Sequence, residues 1–326
     1  MAGDEARIEV VGRLDQRELE AVTWLIEAAT DADGVRPLSE HVALHLRYGG
    51  DEPVRNVLAW APRADRGGLA AYAHLDVTDV IEGASAEVVV HPGMRRRGYG
   101  RAVVETLVAE SPDGRLRLWA HGSHPGASAL ARSMGLEQMR ELWQMRRSLF
   151  ARLPDVTPPA GVVIRAFRPG EDEQAWVALN RRVFAGHPEQ GSWTVDDLRR
   201  RMKEPWFDPE GFFLAESDGR LVGFHWTKVH GGSPQHGHDP IGEVYVVGVD
   251  PGAQGAGLGR VLTVVGLRHL RHLGLPAAML YVDADNRAAI RVYSDLGFQR
   301  WDVDLMFRRA APGTPQAGAG ASFTSQ

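Results

Sequence analysis

The chain has 326 residues, 44% of them hydrophobic and 24% charged, a globular composition that excludes a mainly disordered or fibrous protein. At roughly 100 to 200 residues per domain, this length predicts two domains. A net charge of −5 gives no reason to expect nucleic acid or an anionic membrane as partner. The lack of cysteine excludes disulfides, thiolate nucleophiles and cysteine zinc sites. Without a signal sequence or an apolar run of about 18 residues, we expect a cytoplasmic protein.

Hydrophobic periodicity in the first half predicts two helices followed by a sheet. The helices are expected at residues 16–29 and 39–47, with Ser39 as the cap of the second. The elements that follow are strands at 54–60, 69–75 and 86–90, and a helix that begins at Gly98. The second half repeats this order from a helix within residues 170–184 onward.

In the second half, Thr194 and Asp197 form a capping signature for a helix that ends near residue 202. The Asp218-Gly219 pair predicts a hairpin turn. The predicted elements after that helix are strands at 212–216, 221–229 and 244–249, a helix from Leu258, a strand at 277–282, a helix at 286–295 and a strand at 300–307. Each half is therefore predicted to be α+β, with one mixed, mostly antiparallel sheet flanked by helices.

The two halves also repeat each other in sequence. Residues 90–101 align with residues 249–260, which lie 159 positions later, and six of the twelve pairs are identical. The repeat predicts duplicated domains at residues 1–150 and 162–309. The predicted connection is an extended, proline-rich linker at 151–161. Residues 310–326 contain too little apolar surface to fold and are predicted to be a disordered tail.

A glycine-rich loop, Gln254-Gly255-Ala256-Gly257-Leu258-Gly259, stands between an apolar strand and a helix. Such a loop directs backbone N–H groups and a helix N-terminus at one point, which suits a pyrophosphate. The loop is not a P-loop because no Lys-Ser or Lys-Thr follows it, and no βαβ repeat supports a dinucleotide fold. A tight turn without a ligand is the alternative for one copy. The second copy, at residues 95–100, favours phosphate binding.

The doubled loop resembles the pyrophosphate loop of the GNAT superfamily of acyl-CoA-dependent N-acyltransferases, Gln/Arg-x-x-Gly-x-Gly/Ala. The pattern occurs here as Arg95, Gly98 and Gly100 and again as Gln254, Gly257 and Gly259. The resemblance covers residues 5–150 and 160–309 and implies a tandem pair of GNAT-like domains.

Three further segments, at residues 33–41, 242–251 and 280–286, look like the mycothiol synthase family of actinobacteria. That resemblance implies acetyl transfer from acetyl-CoA to the cysteine amine of cysteinyl-glucosaminyl-inositol, the last step of mycothiol biosynthesis. A tandem GNAT protein that acetylates another amine, such as an amino sugar or an antibiotic, is the alternative enzyme. A non-catalytic acyl-CoA sensor is the alternative of another class.

The resemblance also implies which residues contact acetyl-CoA, the expected co-substrate. In the second half these are Val247, Gly248, Val249, Gln254, Gly255, Ala256, Gly257, Leu258, Gly259, Arg260 and Asn286. In the first half they are Val88, Val89, Val90, Arg96, Arg97, Gly98, Tyr99, Gly100 and Arg101. A backbone N–H of Val247 or Val249 is expected to polarise the thioester carbonyl.

Amide formation needs a group that takes a proton from the attacking ammonium and a group that protonates the leaving thiolate. Glu243, which begins the strand leading to the loop, is the candidate base, directly or through a water. Tyr293, on the helix after the next strand, is the candidate acid. A carboxylate paired with arginine and an aromatic core residue are the respective alternatives. With no cysteine available, we expect direct transfer in a ternary complex.

The first half has alanines at the two aligned positions, Ala84 and Ala131. It is therefore expected to bind acetyl-CoA without turning it over. Glu82 and Glu87 lie near enough in sequence for a shifted base to remain an alternative.

The resemblance further implies that the acceptor contacts Glu40, Glu189, Lys228, Glu243 and Tyr281. A first-turn carboxylate is the alternative for Glu40, a solvated charge for Glu189 and Lys228, and a core position for Tyr281. No macromolecular partner is expected, and the chain is predicted to be a monomer.

Two other features are assigned no function. The histidines crowded in one segment, His225, His230, His236 and His238, could suggest zinc, but no nearby pair of acidic ligands accompanies them, so no metal is expected. The arginine run at residues 95–97 could suggest nucleic acid, but it precedes a phosphate loop in an acidic protein, so contacts with CoA phosphates explain it better.

Overall fold

The computed structural model describes residues 7–48, 54–62, 68–78, 83–112, 114–122, 124–186, 188–231 and 240–309. These residues divide by compactness into two units, which lie within Met1–Glu141 plus Val303–Gln326 and within Leu142–Asp302. Residues 303–309 thus belong to the first unit, whereas the repeat in the sequence places them in the second half. The predicted disordered tail, at residues 310–326, lies outside the described residues.

The first unit is an α+β domain. Its sheet has the order β1-β2-β3-β4-β5-β12, antiparallel except for the parallel pair β4 and β5. The elements are β1 (Arg7–Val11), α1 (Gln16–Asp33), α2 (Glu40–Tyr48), β2 (Val54–Trp60), β3 (Leu69–Asp76), β4 (Ala84–Val90), α3 (Tyr99–Glu110), β5 (Leu116–Ala120), α4 (Pro125–Ser133) and the end of β12 (Gln299–Arg309).

The second unit repeats this architecture with the order β7-β8-β9-β10-β11-β6, in which only β10 and β11 are parallel. Its elements are the end of β6 (Glu137–Ser148), β7 (Val162–Ala166), α5 (Glu173–Val183), α6 (Pro188–Gly191), α7 (Val195–Met202), β8 (Phe212–Ser217), β9 (Arg220–His230), β10 (Ile241–Val249), α8 (Leu258–His272), β11 (Ala277–Asp283) and α9 (Arg287–Asp295). The predicted fold class, two α+β domains with mixed sheets, is confirmed.

The sixth strand of each sheet comes from the other half of the sequence. The β6 residues 142–148 pair with β11 in the second unit, and the β12 residues 305–309 pair with β5 in the first. The two sheets therefore exchange their last strands. Strand pairing joins residues that are far apart in sequence, so no local pattern reveals this exchange.

Local signals agree with the elements they predicted. Thr194 and Asp197 form the expected capping box at the start of α7, with Asp197 N–H donating to Thr194 Oγ1 at 3.2 Å. Asp218 and Gly219, with φ of 50° and 72°, form a hairpin turn in which both central residues are left-handed. The short outer strands β1 and β7, which sequence analysis did not predict, complete the two sheets.

The two faces of the second sheet are covered differently. Helix α8 buries Val264 and Leu267 against strand residues that include Val244 and Leu280. On the other face, α5 and α7 contribute to a cluster rich in aromatic side chains around Trp226. Burial of each such large apolar side chain contributes about 1.5 to 3 kcal/mol, so both packings hold β10 firmly in place.

Candidate active site

Strands β10 and β11 of the second unit lie side by side over only three residue pairs. Gly242, Glu243 and Val244 pair with Ala278, Met279 and Leu280, and no further pair is found within residues 240–309. Both strands nevertheless continue, to Val249 and Asp283. The strands therefore diverge after Val244. Backbone groups on the facing edges are left available to an extended ligand, which can hydrogen-bond there as an added strand does.

A β-bulge at Tyr245 lies where the strands diverge. Val244 pairs with Thr227 of β9 and Val246 with Trp226, so Tyr245 is an extra residue in β10. The corresponding strand β4 of the first unit pairs with β3 in unbroken register from Ser85 to Val90. A bulge redirects the side chains around it. Side chains that follow Val244 in β10 therefore point in other directions than those at the equivalent positions of β4.

Glu243 is buried beside two basic side chains, with only 6% of its surface exposed. Its register partner on β9 is Lys228, and its Oε2 accepts a hydrogen bond from His230 Nε2 at 2.6 Å. Burial raises the pKa of Glu243, but the hydrogen bond from His230 and the charges of His230 and Lys228 outweigh burial and keep this pKa below its ordinary value. Glu243 is therefore a carboxylate at neutral pH.

Sequence analysis considered His230 only as one of four clustered histidines. Its partnership with Glu243 depends on how β9 and β10 align across residues 231–240, which the sequence pattern does not specify. The antiparallel pairing of β9 with β10 brings these two residues together from either side of the connection.

Lys228 lies against two aromatic rings. Its Nζ is 4.5 Å from the ring centroid of Trp206 and 5.1 Å from that of Tyr245. Both distances are within the range of cation–π attraction, which holds the ammonium group next to Glu243. The predicted contact of Lys228 with an acceptor stays a prediction.

Tyr293 lies on α9 in the apolar cluster that α8 covers, 8% exposed and packed on Phe298. Burial raises the pKa of its hydroxyl to about 12, so the hydroxyl is protonated at neutral pH. Among the described residues its hydroxyl has no hydrogen-bond partner. Val244, next to Glu243 in β10, belongs to the same cluster, so Glu243 points to the opposite face of the sheet. Glu243 and Tyr293 therefore lie on opposite faces of the sheet.

The predicted phosphate loop joins β10 to α8. Gly255 and Gly257 have φ of 88° and 77°, a left-handed conformation that favours glycine. Gly257 is the N-cap of α8, and no side chain among the described residues caps this helix. The first N–H groups of α8 are thus left for a ligand, and the helix dipole favours an anion there.

Two predicted CoA contacts have structural roles beside this loop. Gln254 Nε2 donates to the carbonyl of Val249 at 3.3 Å, which ties the loop back to β10. Asn286 is the N-cap of α9, where its side chain accepts from Ala289 N–H at 3.1 Å.

The first unit preserves the loop backbone. Arg96 and Gly98 have φ of 64° and 92°, which match Gly255 and Gly257, and Gly98 is likewise the N-cap of a helix, α3, without a side-chain cap among the described residues. The side chain of Arg95 is bound to Asp33, at 2.5 and 2.8 Å. The loop geometry of an anion site is therefore present in both units.

The positions aligned with Glu243 and Tyr293 are apolar in the first unit: Ala84 and Ala131 are both buried in its core. Glu87, the alternative base, accepts a hydrogen bond from Ser39 N–H at 2.6 Å and lies 3.5 Å from His121. Burial raises the pKa of Glu87, but His121 and Ser39 outweigh burial and lower it.

His121 is in turn held by Asp304, at 2.9 Å. Burial lowers the pKa of His121, but the hydrogen bonds and charges of Asp304 and Glu87 raise it to about 10. The carboxylate of Glu87 therefore forms an ion pair with His121. Glu82, the other candidate, lies outside the described residues.

The remaining predicted acceptor contacts lie in different places. Tyr281 of β11 is 40% exposed, and its hydroxyl accepts a hydrogen bond from Gln144 at 2.8 Å. Glu40 is the first residue of α2 in the first unit and is half-buried. Glu189 lies in α6, and its side chain is outside the described part of the structure.

The clustered histidines have separate roles. His225 is fully buried, with its ring Nδ1 2.7 Å from the carbonyl of Leu262, whereas His230 contacts Glu243. No group of three or more possible metal ligands was found within the described residues. His236 and His238 lie outside them. No helix in the described ranges is long and apolar enough to cross a bilayer.

The fold and loop geometry agree with comparisons to known proteins. The model of the acetyltransferase (GNAT) family matches residues 20–136 and 175–298, once in each unit. The chain therefore belongs to the GNAT acetyltransferase family, and it is an acetyl-CoA-dependent N-acetyltransferase with two GNAT domains in tandem.

Curated relatives point to one group of proteins within the GNAT family. The chain is 60% identical to a mycothiol acetyltransferase of Acidothermus cellulolyticus, over 93% of this chain and 94% of that protein. It is 56% identical to a mycothiol acetyltransferase of Streptosporangium roseum, over 93% and 99% of the two chains. The predicted resemblance to this tandem group of GNAT proteins is confirmed.

Solved structures support the same fold. A GCN5-related N-acetyltransferase of Sphaerobacter thermophilus matches with a TM-score of 0.67 and 26% identity, over 94% of this chain and 97% of that one. A tandem GNAT protein from the clavulanic acid biosynthesis pathway matches with a TM-score of 0.69 and 21% identity, over 95% and 100% of the two chains, and shows the fold alone.

Proposed function

We propose that this acetyltransferase moves the acetyl group of acetyl-CoA to the cysteine amine of cysteinyl-glucosaminyl-inositol, the last step of mycothiol biosynthesis. The relatives at 60% and 56% identity are named mycothiol acetyltransferases. The match covers nearly the whole length of each. The observation that carries the proposal is the position of the buried carboxylate of Glu243 where β10 and β11 diverge.

In this proposal the thioester lies in the gap between β10 and β11. The acceptor amine attacks from the face that bears Glu243, and Tyr293 donates its proton to the CoA sulfur from the other face. A C–N bond forms, the C–S bond breaks, the ammonium proton passes to Glu243 directly or through a water, and the thiolate takes the proton of Tyr293. The low pKa of Glu243 and the high pKa of Tyr293 put both groups in the required starting forms.

The backbone around the gap is proposed to hold acetyl-CoA. Along β10, alternate N–H groups point away from β9 toward the open edge, which supports Val247 or Val249 as the donor to the thioester oxygen. The left-handed glycines at 255 and 257 and the uncapped start of α8 support pyrophosphate binding.

The first unit is proposed to bind acetyl-CoA without turning it over. Its loop has the same left-handed geometry, which supports binding, whereas Ala84 and Ala131 offer no proton-transfer group. The regular register of β4 and the ion pair between Glu87 and His121 support the same proposal.

The test is acetyl transfer to a panel of amines, measured as release of free CoA. The panel contains cysteinyl-glucosaminyl-inositol, an amino sugar and a peptide amine. We expect cysteinyl-glucosaminyl-inositol to be acetylated with the highest kcat/KM. Equal, slow rates on all amines would remove the acceptor assignment and leave a general amine acetyltransferase.

A further inference from the structure

On one face of the second-unit sheet, a row of side chains crosses four neighbouring strands and includes Glu243. Residues that are register partners on neighbouring strands point to the same face. Lys228, Glu243 and Met279 are successive partners on β9, β10 and β11, and Met279 pairs in turn with Arg146 on β6. With strands about 4.8 Å apart, Arg146 starts about 10 Å from Glu243 along this row.

An exposed tryptophan lies at the far end of the row. The guanidinium carbon of Arg146 is 4.6 Å from the ring centroid of Trp301, at the start of β12. Trp301 is 66% exposed, although a tryptophan is normally largely buried. Arg146 Nε donates to Gln144 Oε1 at 2.8 Å, and among the described residues its two terminal nitrogens have no hydrogen-bond partner.

Tyr281 is connected to Arg146 through Gln144. Its register partner is Gln144, whose Nε2 donates to the Tyr281 hydroxyl at 2.8 Å. Tyr281 lies two residues beyond Met279 on β11 and so faces the same side. The hydrogen bonds from Arg146 to Gln144 and from Gln144 to Tyr281 keep these side chains in one orientation.

We infer that Arg146 and Trp301 form a binding subsite for a polyhydroxylated ring at the end of the acceptor remote from its amine. The inference rests on the proposed function, because it takes the reacting amine to lie at Glu243. The Arg146 guanidinium covers one face of Trp301, so a ring whose hydroxyls accept from the terminal nitrogens of Arg146 can place its C–H groups against the part of the indole that remains exposed. The separation from Glu243 accommodates a linking residue and one intervening ring.

The opposite face of the same strands provides a matched control. Arg300 lies 4.9 Å from the ring centroid of Trp143, so a second Arg–Trp pair joins β12 and β6. Trp143 pairs with Val282, which packs in the cluster covered by α8. This pair therefore faces away from Glu243 and should not affect the choice of acceptor.

The experiment compares kcat/KM for cysteinyl-glucosaminyl-inositol with kcat/KM for cysteinamide, which lacks both rings. We expect Trp301→Ala to lower the ratio of the two values about tenfold, the upper range for an aromatic contact. Arg146→Gln should lower it about 10- to 100-fold, because hydrogen bonds from a charged group are stronger. Arg300→Gln should keep the wild-type ratio. An unchanged ratio in Trp301→Ala and Arg146→Gln would overturn the subsite.

Calorimetry with free glucosaminyl-inositol separates this inference from the proposed function. We expect the pseudodisaccharide to bind wild-type protein and Arg300→Gln, and to bind Trp301→Ala at least several-fold more weakly. If wild type failed to acetylate cysteinyl-glucosaminyl-inositol but showed this binding pattern, the acceptor assignment would fail and the subsite would stand. Equal binding to wild type and both subsite variants would contradict the subsite.

Discussion

His230 and Glu243 form a hydrogen-bonded pair in which the carboxylate side chain is 8% exposed and the imidazole side chain is 33% exposed, with 2.6 Å between Nε2 and Oε2. A carboxylate in this setting is stabilised mainly by the donor that contacts it, because water reaches little of its surface. The ionisation of Glu243 therefore depends on His230, and this dependence can be measured.

Replacement of the imidazole should shift the pH profile of the reaction. In His230→Ala, burial is no longer offset by the hydrogen bond, so the pKa of Glu243 rises and its ionised fraction falls at mildly acidic pH. We expect the acid limb of kcat/KM to move to higher pH and the activity at high pH to recover. His230→Gln, which keeps an N–H donor, should move the limb less. Identical acid limbs in wild type and His230→Ala would contradict this dependence.

Removal of the carboxylate charge should reduce the chemical step. Glu243→Gln keeps the size of the side chain but cannot take a proton, so we expect kcat to fall by about 10² to 10⁴-fold with little change in acetyl-CoA affinity. The measurement is steady-state kinetics together with calorimetric titration of acetyl-CoA. Glu171→Gln, at an exposed ion pair with Arg168, is the control. Wild-type kcat in Glu243→Gln across pH 6 to 9 would exclude the proposed base.

The Tyr293 hydroxyl should matter for rate and not for stability. Tyr293→Phe removes a buried hydroxyl that has no partner among the described residues, so the free energy of unfolding should stay equal or rise slightly. We expect kcat to fall by about 10² to 10⁴-fold at the same time, if the hydroxyl protonates the thiolate. Thermal melts and kinetics on one preparation check both parts. A stable variant with full kcat would leave Tyr293 as a core residue only.

Substitutions in the two glycine-rich loops should have different effects on acetyl transfer. Glutamate at position 98 or 257 must adopt a left-handed φ, and it adds a negative charge where the proposal puts pyrophosphate. By calorimetry we expect two acetyl-CoA equivalents in the wild type and one in each of Gly98→Glu and Gly257→Glu, with activity lost only in Gly257→Glu. Loss of turnover in folded Gly98→Glu would place chemistry or an obligatory coupling in the first unit.

One glycine inside α8 should be required for packing. A Cβ at Gly266 would overlap the ring of His225, whose Nε2 would be 2.9 Å away. Glycine to alanine in a helix normally stabilises by about 1 kcal/mol, whereas overpacking costs about 1 to 3 kcal/mol. We expect Gly266→Ala to lower the free energy of unfolding in denaturant titrations. Gly186→Ala, where an added Cβ meets nothing within 4 Å, should leave it nearly unchanged. A more stable Gly266→Ala would contradict the packing argument.

The amino-acid sequence determined the duplication, the α+β class and most of the elements, because these depend on local patterns. The capping pair Thr194 and Asp197, the turn at Asp218 and Gly219 and the doubled glycine loop are all readable within a few residues. Glu243 and Tyr293 became candidates through their places next to a predicted strand and on a predicted helix, and alignment of the two halves then gave Ala84 and Ala131 as their counterparts.

Only the tertiary structure decided which distant strands pair and in what register. The exchange of β6 and β12 between the sheets, the bulge at Tyr245 and the divergence of β10 from β11 arise from pairings between remote segments. The contact of His230 with Glu243 and that of Arg146 with Trp301 depend on the same register. A one-residue shift in pairing would turn each side chain to the other face, and no local pattern specifies that shift.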